Sequence, residues 1–512
     1  MITLDTLNRD ILDQILLLLH DCSKHTIFSV LRVSRTLHDA SIPFVYRVLK
    51  LDITPERQSG GGFLGQQGIS MLLSRDRVDL FRAIRKLDIR STSDAPGRDE
   101  NKWAPTVELI RRITNLREVV LDCRESVPLC LLDTLHQYHA SCRLDVLNWT
   151  RLSHDIKVGD IHEEALARSP CLRSLHAAFV TGGLFNYTES AFRRILALAP
   201  NIESAAMESE FFYGVYPVTD EELEEERRES AKFEVVCTTK KSLKEIRWSF
   251  VDQQTLLGWK ESIDLSVLGS LDIGILCYDA LLYLRDHSIF SALGHLSFTS
   301  PSHANSAISN TTSLQEISGI VMGFVCSLPS LQSLSVTNYA TTIDLPTVLL
   351  HHGTTIRSLS LHQTEGGEER WAFSVTPAQI ESLGTKAPNL ESLEMDINRT
   401  PDGQDESEIY SALSRIPSLA RVVLHYDLGF YLVETLPNNQ ELAQQTYPAA
   451  DSEFGKKIWR AVQPPPSDQA NSSGGCRLQN LILYMGEPNR ESRGPEHREW
   501  VYYERTAKQK VT

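Results

Sequence analysis

Paired cysteines are missing from this chain. Its nine cysteines are an odd number, scattered over 512 residues with no Cys-x-x-Cys among them, so no disulfide framework is expected. A long apolar run is missing too. Ile15 to Leu19 is short and follows Asp5, Asp10 and Asp13, where a secretion signal would carry basic residues and a longer apolar core. The longest uncharged run, Ile317 to Ile343, is interrupted by Pro329 and Asn338 and makes a poor membrane span. A reducing compartment, cytoplasmic and/or nuclear, with no membrane partner is the expectation. Nor is there a surplus of positive charge: Lys and Arg number 51 against 66 Asp and Glu, a net of −15. Residues 1–50 hold 6 basic and 5 acidic side chains, so the acidity lies downstream. General nucleic-acid binding, which needs a basic face, is excluded.

Catalytic signatures are likewise absent. There is no GxSxG elbow, no GxxxxGK[ST] loop and no HExxH pair. Gly60-Gly61-Gly62-Phe63-Leu64-Gly65 fits GxGxxG in letters. No apolar strand runs directly into it, since Thr54 to Ser59 intervene, and a flexible linker is expected instead. His136, His139 and Cys142 are spaced to share one helix face as zinc ligands would, but no fourth ligand is near, and polar residues on an exposed face are expected. No enzyme activity, cofactor or metal is expected. What is present, 41% hydrophobic and 23% charged residues, describes a folded chain rather than a disordered one.

The first fifty residues are the most apolar in pattern. Leu4, Leu7, Ile11, Leu12, Ile15, Leu16 and Leu19 recur in three- and four-residue steps, forming one broad stripe on a helix. After the turn Asp21-Cys22-Ser23, a second helical stripe runs through Ile27, Val30, Leu31, Val33 and Leu37. Pro43 is expected to stop or redirect the chain and begin a short third turn, and Val48, Leu49, Leu51 and Ile53 alternate as a strand. Fifty residues cannot bury so much apolar surface alone. The surplus meets either the next domain, as the cap of a repeat array, or a partner.

Leu7-Asn8-Arg9-Asp10-Ile11-Leu12-Asp13-Gln14-Ile15 resembles the opening of an F-box, with Asn8 where Pro is usual. Val33-Ser34-Arg35-Thr36-Leu37-His38-Asp39 resembles the second-helix signature of that family, and Pro43-Phe44-Val45-Tyr46-Arg47 the Pro-x-x-Tyr-Arg of fungal members. This resemblance covers about a tenth of the chain. It implies that the segment docks the Skp-type adaptor of an SCF ubiquitin ligase, and through it a cullin, by Leu7, Ile11, Leu12, Ile15, Val33 and Leu37.

From residue 84 a short pattern, LxxLxL, returns again and again. Clear copies begin at Leu116, Leu172, Leu331, Ile356, Leu390 and Leu419, and weaker ones near Ile84, Leu144, Ile202, Leu243, Leu268, Leu293 and Leu478. Several follow a small or apolar residue, Pro and a polar residue, as in Ala387-Pro388-Asn389, Leu328-Pro329-Ser330 and Ile416-Pro417-Ser418. Amphipathic stretches lie upstream, so one unit is strand, loop, helix and turn. This is the strand core of a leucine-rich repeat, and the shared lead-in disfavours a doubly wound sheet.

The expected fold is α/β: a helical F-box at 1–50, a linker and first helix at 51–83, and a curved leucine-rich-repeat-like solenoid at 84–485. Insertions fall near 209–240 and 429–476, and 486–512 is a polar tail or cap. The acidic stretch Asp220 to Glu229 reads as a solvated helix, and Gln463 to Gly475 as a flexible loop. A target protein is expected on the outward strand residues, Arg357, Glu391 and Glu394 among them. The expected function is substrate recognition for an SCF-type ligase. The alternatives are a free-standing interaction scaffold and an enzyme with an unrecognised site.

Overall fold

The structure is a computed structural model. It describes residues 8–22, 24–54, 63–74, 78–91, 100–123, 126–150, 160–181, 188–211, 240–287, 289–301, 314–363, 375–398, 404–427, 452–462, 478–485 and 501–504. The chain forms two compact units, Met1–Leu243 with Glu261–Asp264, and Lys244–Lys260 with Leu265–Thr512. Leu7, the glycines at 60–62, Asp220 to Glu229 and Gln463 to Gly475 lie outside the described residues.

The first unit opens with three helices, α1 (Arg9–Cys22), α2 (Lys24–Val30) and α3 (Arg35–Val45). They enclose a core of Leu12, Leu16, Ile27, Leu37 and Ala40, edged by Leu19, Val30, Phe44 and Val45. The expected second helix is therefore two. Leu31–Val33 is a turn, because Ser34 adopts an extended backbone and its hydroxyl accepts from Leu37 N at 3.2 Å, starting a new helix there. Pro43 does not end that helix but lies inside it, in the last turn, where its missing N–H costs the helix one backbone hydrogen bond.

A parallel sheet follows: β1 (Val48–Asp52), β2 (Leu64–Gly65), β3 (Lys86–Ser91), β4 (Glu118–Cys123), β5 (Arg143–Trp149), β6 (Leu172–Thr181) and β7 (Ser204–Phe211). Their order is β2-β1-β3-β4-β5-β6-β7, so the sheet starts at Val48, upstream of residue 84. The end of the glycine segment is not linker, because Leu64 and Gly65 pair with Leu51 and Asp52 as β2.

The second unit repeats the plan. It runs β8 (Glu245–Val251), β9 (Ser270–Leu276), β10 (His295–Thr299), β11 (Ser333–Thr337), β12 (Ser358–His362), β13 (Ser392–Asn398), β14 (Arg421–Asp427) and β15 (Asn480–Met485), each parallel to its sequence neighbour. A last strand, β16 (Val501–Glu504), lies antiparallel along β15. The order is strictly sequential, whereas a doubly wound sheet reverses at a switch point. From Tyr278–His287 onward the described helices pack each on the next, as Pro377–Lys386 does on Gln404–Ser414. Both units are thus α/β leucine-rich-repeat-like arrays.

Residue chemistry explains the repeat. The first apolar residue of the motif sits two places before its strand and is buried, as Leu116, Leu331, Ile356, Leu390 and Leu419 are. The next two, such as Leu359 with Leu361 and Leu393 with Met395, point into the core. The copy marked at Leu144 is out of phase. Leu144 pairs with Val119, so it occupies the second apolar place. The polar residue of the lead-in bonds a turn carbonyl of the preceding repeat. Asn389 Nδ2 donates to Thr354 O at 2.8 Å, Ser418 Oγ to Leu390 O at 2.9 Å, and Asn201 Nδ2 to Pro170 O at 2.9 Å. Carbonyls freed at each turn are thereby satisfied.

Candidate functional site

Among the described residues, two surfaces hold the side chains expected to meet partners. The first is on the N-terminal helices. Leu12, Leu16 and Leu19 form one stripe of α1 and face its core. Ile11, Ile15 and Leu18 form another about 100° round the helix; Ile11 is 48% and Leu18 66% exposed, and Ile15 is half-buried. Phe28 and Val33 are 51% and 70% exposed. The single broad stripe seen in the sequence is therefore two stripes, one in the core and one partly exposed. Of the six expected docking residues, Leu12 and Leu37 are buried inside the helical core, while Ile11 and Val33 face solvent. Leu18 and Phe28 were not among the six, and their signal was an apolar residue one step off the core stripe. This module is also tied to the array: α3 packs on the helix Val78–Ala83, and Arg47 O accepts from Arg85 N at 2.9 Å and Lys86 N at 3.0 Å.

The second surface is the outward strand face of the second unit. Arg357 and Glu391, on neighbouring repeats, form an exposed ion pair with Nη1 to Oε1 at 2.7 Å. Glu394 lies apart from them. Its Oε1 accepts from His425 Nε2 at 2.8 Å, with side-chain exposures of 33% and 14%. Burial alone would raise the Glu394 carboxyl; the hydrogen bond and charge of His425, helped by Ser360 and His362, outweigh it and hold the group below its ordinary range.

Register then assembles a row that no local motif shows. Asp396 pairs with His425, and His425 with Tyr484; Leu361 pairs with Met395, so His362 comes next to Asp396. His362 Nδ1 meets Asp396 Oδ1 at 2.8 Å, and Gln363 N donates to Asp396 Oδ2 at 2.6 Å. Gln363 is itself held, its Nε2 donating to Asn338 Oδ1 at 3.2 Å. The His362 and His425 rings lie 4.1 Å apart, and Tyr484 stacks on His425 at 4.5 Å and 10°. One ligand atom from each of His362, Asp396 and His425 falls within 4.8 Å of the others.

The histidines and cysteine at 136–142 do not share a helix face. Their helix, Leu129–Tyr138, ends before His139, and both His139 and Cys142 are buried. His139 Nε2 bonds Ile110 O at 2.9 Å and His136 Nε2 bonds Ser169 Oγ at 2.8 Å, so both histidines link neighbouring repeats.

Among the described residues no helix is long and apolar enough to cross a membrane. No protein-family model matches the chain, and no curated protein does. Among solved structures, the leucine-rich repeat-containing protein LegL7 from Legionella pneumophila is similar, at 12% identity over 81% of this chain and 97% of its own, with a TM-score of 0.31.

Proposed function

We propose that this chain is a protein-interaction scaffold whose repeat arrays hold a target protein and whose N-terminal helices dock a Skp-type adaptor, making it a substrate-recognition subunit of an SCF-type ubiquitin ligase. The interaction scaffold is the broader part, and it follows from a leucine-rich-repeat-like fold with a polar outward strand face. The ligase part rests on the resemblance of residues 7–47 to an F-box and on one observation: Ile11, Leu18, Phe28 and Val33 stay exposed although the helices have a closed core and a packed side. A module serving only as a cap has no use for that apolar surface. Capping and docking are compatible here, because α3 and Arg47 face the array while the Ile11 stripe does not belong to the helical core.

The test is co-purification with a recombinant Skp-type adaptor. The wild-type chain retains the adaptor, and Leu18→Glu combined with Phe28→Glu loses it while the fold persists. Arg357→Glu combined with Glu391→Arg keeps the adaptor and weakens target capture. Its stability changes by about 0–1 kcal/mol, since the exchanged pair is solvent-exposed. Failure of the wild-type chain to retain any Skp-type adaptor removes the ligase part and leaves the scaffold.

A further inference from the structure

The row on the outward strand face is built like a metal centre. We infer that His362, Asp396 and His425 bind a divalent ion of the zinc class, Zn2+, Co2+ or Ni2+. Two imidazoles and a carboxylate are the donor set this class prefers over the all-oxygen sets of Mg2+ and Ca2+, and their ligand atoms already lie within 4.8 Å of one another. Three protein ligands leave coordination positions for water.

Three features around the row do what surrounding groups do at metal sites. Gln363 N fixes Asp396 Oδ2 at 2.6 Å, which leaves Oδ1 directed at His362. Glu394 Oε1 accepts from His425 Nε2 at 2.8 Å and raises the basicity of that ring. Tyr484, stacked at 4.5 Å, sets the ring plane. Asp396, whose side chain is 8% exposed, and Glu394 stand two residues apart on one face of β13, a pair of carboxylates, beside the imidazoles, whose charge a divalent cation neutralises. This inference does not depend on the adaptor or on the ligase reading.

The test uses the full-length chain with any purification tag removed, stripped by EDTA, desalted, and titrated with Zn2+ in competition with a chromophoric chelator. A single equivalent binds the wild-type chain. His425→Gln and Asp396→Asn each weaken uptake about a hundredfold, and Glu394→Gln, outside the ligand set, about tenfold. His295→Gln, an exposed histidine on β10, leaves uptake unchanged. Uptake by the wild-type chain weakens as pH falls through the histidine range, because the ligands must shed protons. Where a ligand variant loses its fold, Glu394→Gln and the rise in wild-type Tm on adding Zn2+ still decide the matter. No Zn2+ uptake by the wild-type chain, or uptake that the His425, Asp396 and Glu394 variants leave intact, overturns the site.

Discussion

Placing one aspartate at Leu12 and one at Val33 separates folding from docking in the N-terminal helices. Leu12 is 2% exposed and Val33 70%, although both belong to the F-box-like pattern. At Leu12 the change removes a leucine from a five-residue core, at about 2–5 kcal/mol, and leaves a buried polar group unsatisfied for about 1–3 kcal/mol more. The sum, about 3–8 kcal/mol, matches or exceeds the whole stability of a small helical module, about 5 kcal/mol. At Val33 the change alters stability by about 0.5 kcal/mol or less. In a complex, however, its carboxylate is buried without a partner, at about 3 kcal/mol, which weakens Kd about a hundredfold. Hydrogen exchange followed by mass spectrometry resolves this locally, where a melt of a two-unit chain does not. Peptides from 9–45 lose protection in Leu12→Asp and keep it in Val33→Asp, while peptides from β11 to β14 are unchanged in both. Adaptor binding, measured by calorimetry, is lost in Leu12→Asp and about a hundredfold weaker in Val33→Asp. Full protection in Leu12→Asp refutes the assigned core, and wild-type Kd in Val33→Asp refutes the docking surface.

Two further outcomes test the second unit. Gly353 has a helical backbone, where alanine ordinarily stabilises by about 0.4–1 kcal/mol. A methyl there would lie 2.5 Å from the Lys386 carbonyl oxygen of the next repeat, an overlap costing about 1–3 kcal/mol, so Gly353→Ala should lower Tm rather than raise it. His352 accepts from Leu331 N at 3.3 Å and bonds Val325 O at 3.1 Å, and burial lowers its pKa below 6.5. The unfolded chain therefore takes up a proton near pH 6.5 that the folded site refuses until lower pH. Stability from this site is complete above about pH 6.5 and declines as pH falls toward the lowered value. The slope of Tm against pH over that window is accordingly shallower in His352→Gln.

The strand repeat was legible because LxxLxL places consecutive buried residues at fixed steps, and Leu334, Leu359, Leu393 and Val422 line up across four strands as that spacing requires. Helix boundaries were less so. Leu31 and Val33 continue the apolar pattern of α2 in sequence, yet the Ser34 cap breaks the chain there, since periodicity carries no information about where a backbone turns. The His362, Asp396 and His425 row escaped notice for a different reason. These residues are 34 and 29 positions apart, and each stands just past the last apolar residue of its motif, after Leu361, Met395 and Leu424. The outward positions inside the motif, Arg357, Glu391 and Glu394, stop short of that row. Only strand register carries one across to the next.

The outermost strands have a meaning for solubility. A parallel sheet leaves a line of unsatisfied N–H and C=O groups at its border, which can template the border of another molecule. In the first unit the border strand β2 is two residues long, too short for a foreign strand to register on. In the second, β15 has its free side taken by β16, from Glu504 against Asn480 to Val501 against Leu483. β16 is only four residues long, so the edge it presents in turn is brief. A chain cut between Met485 and Val501 would bare the backbone N–H and C=O groups of β15 as a longer free edge, open to pairing with another molecule.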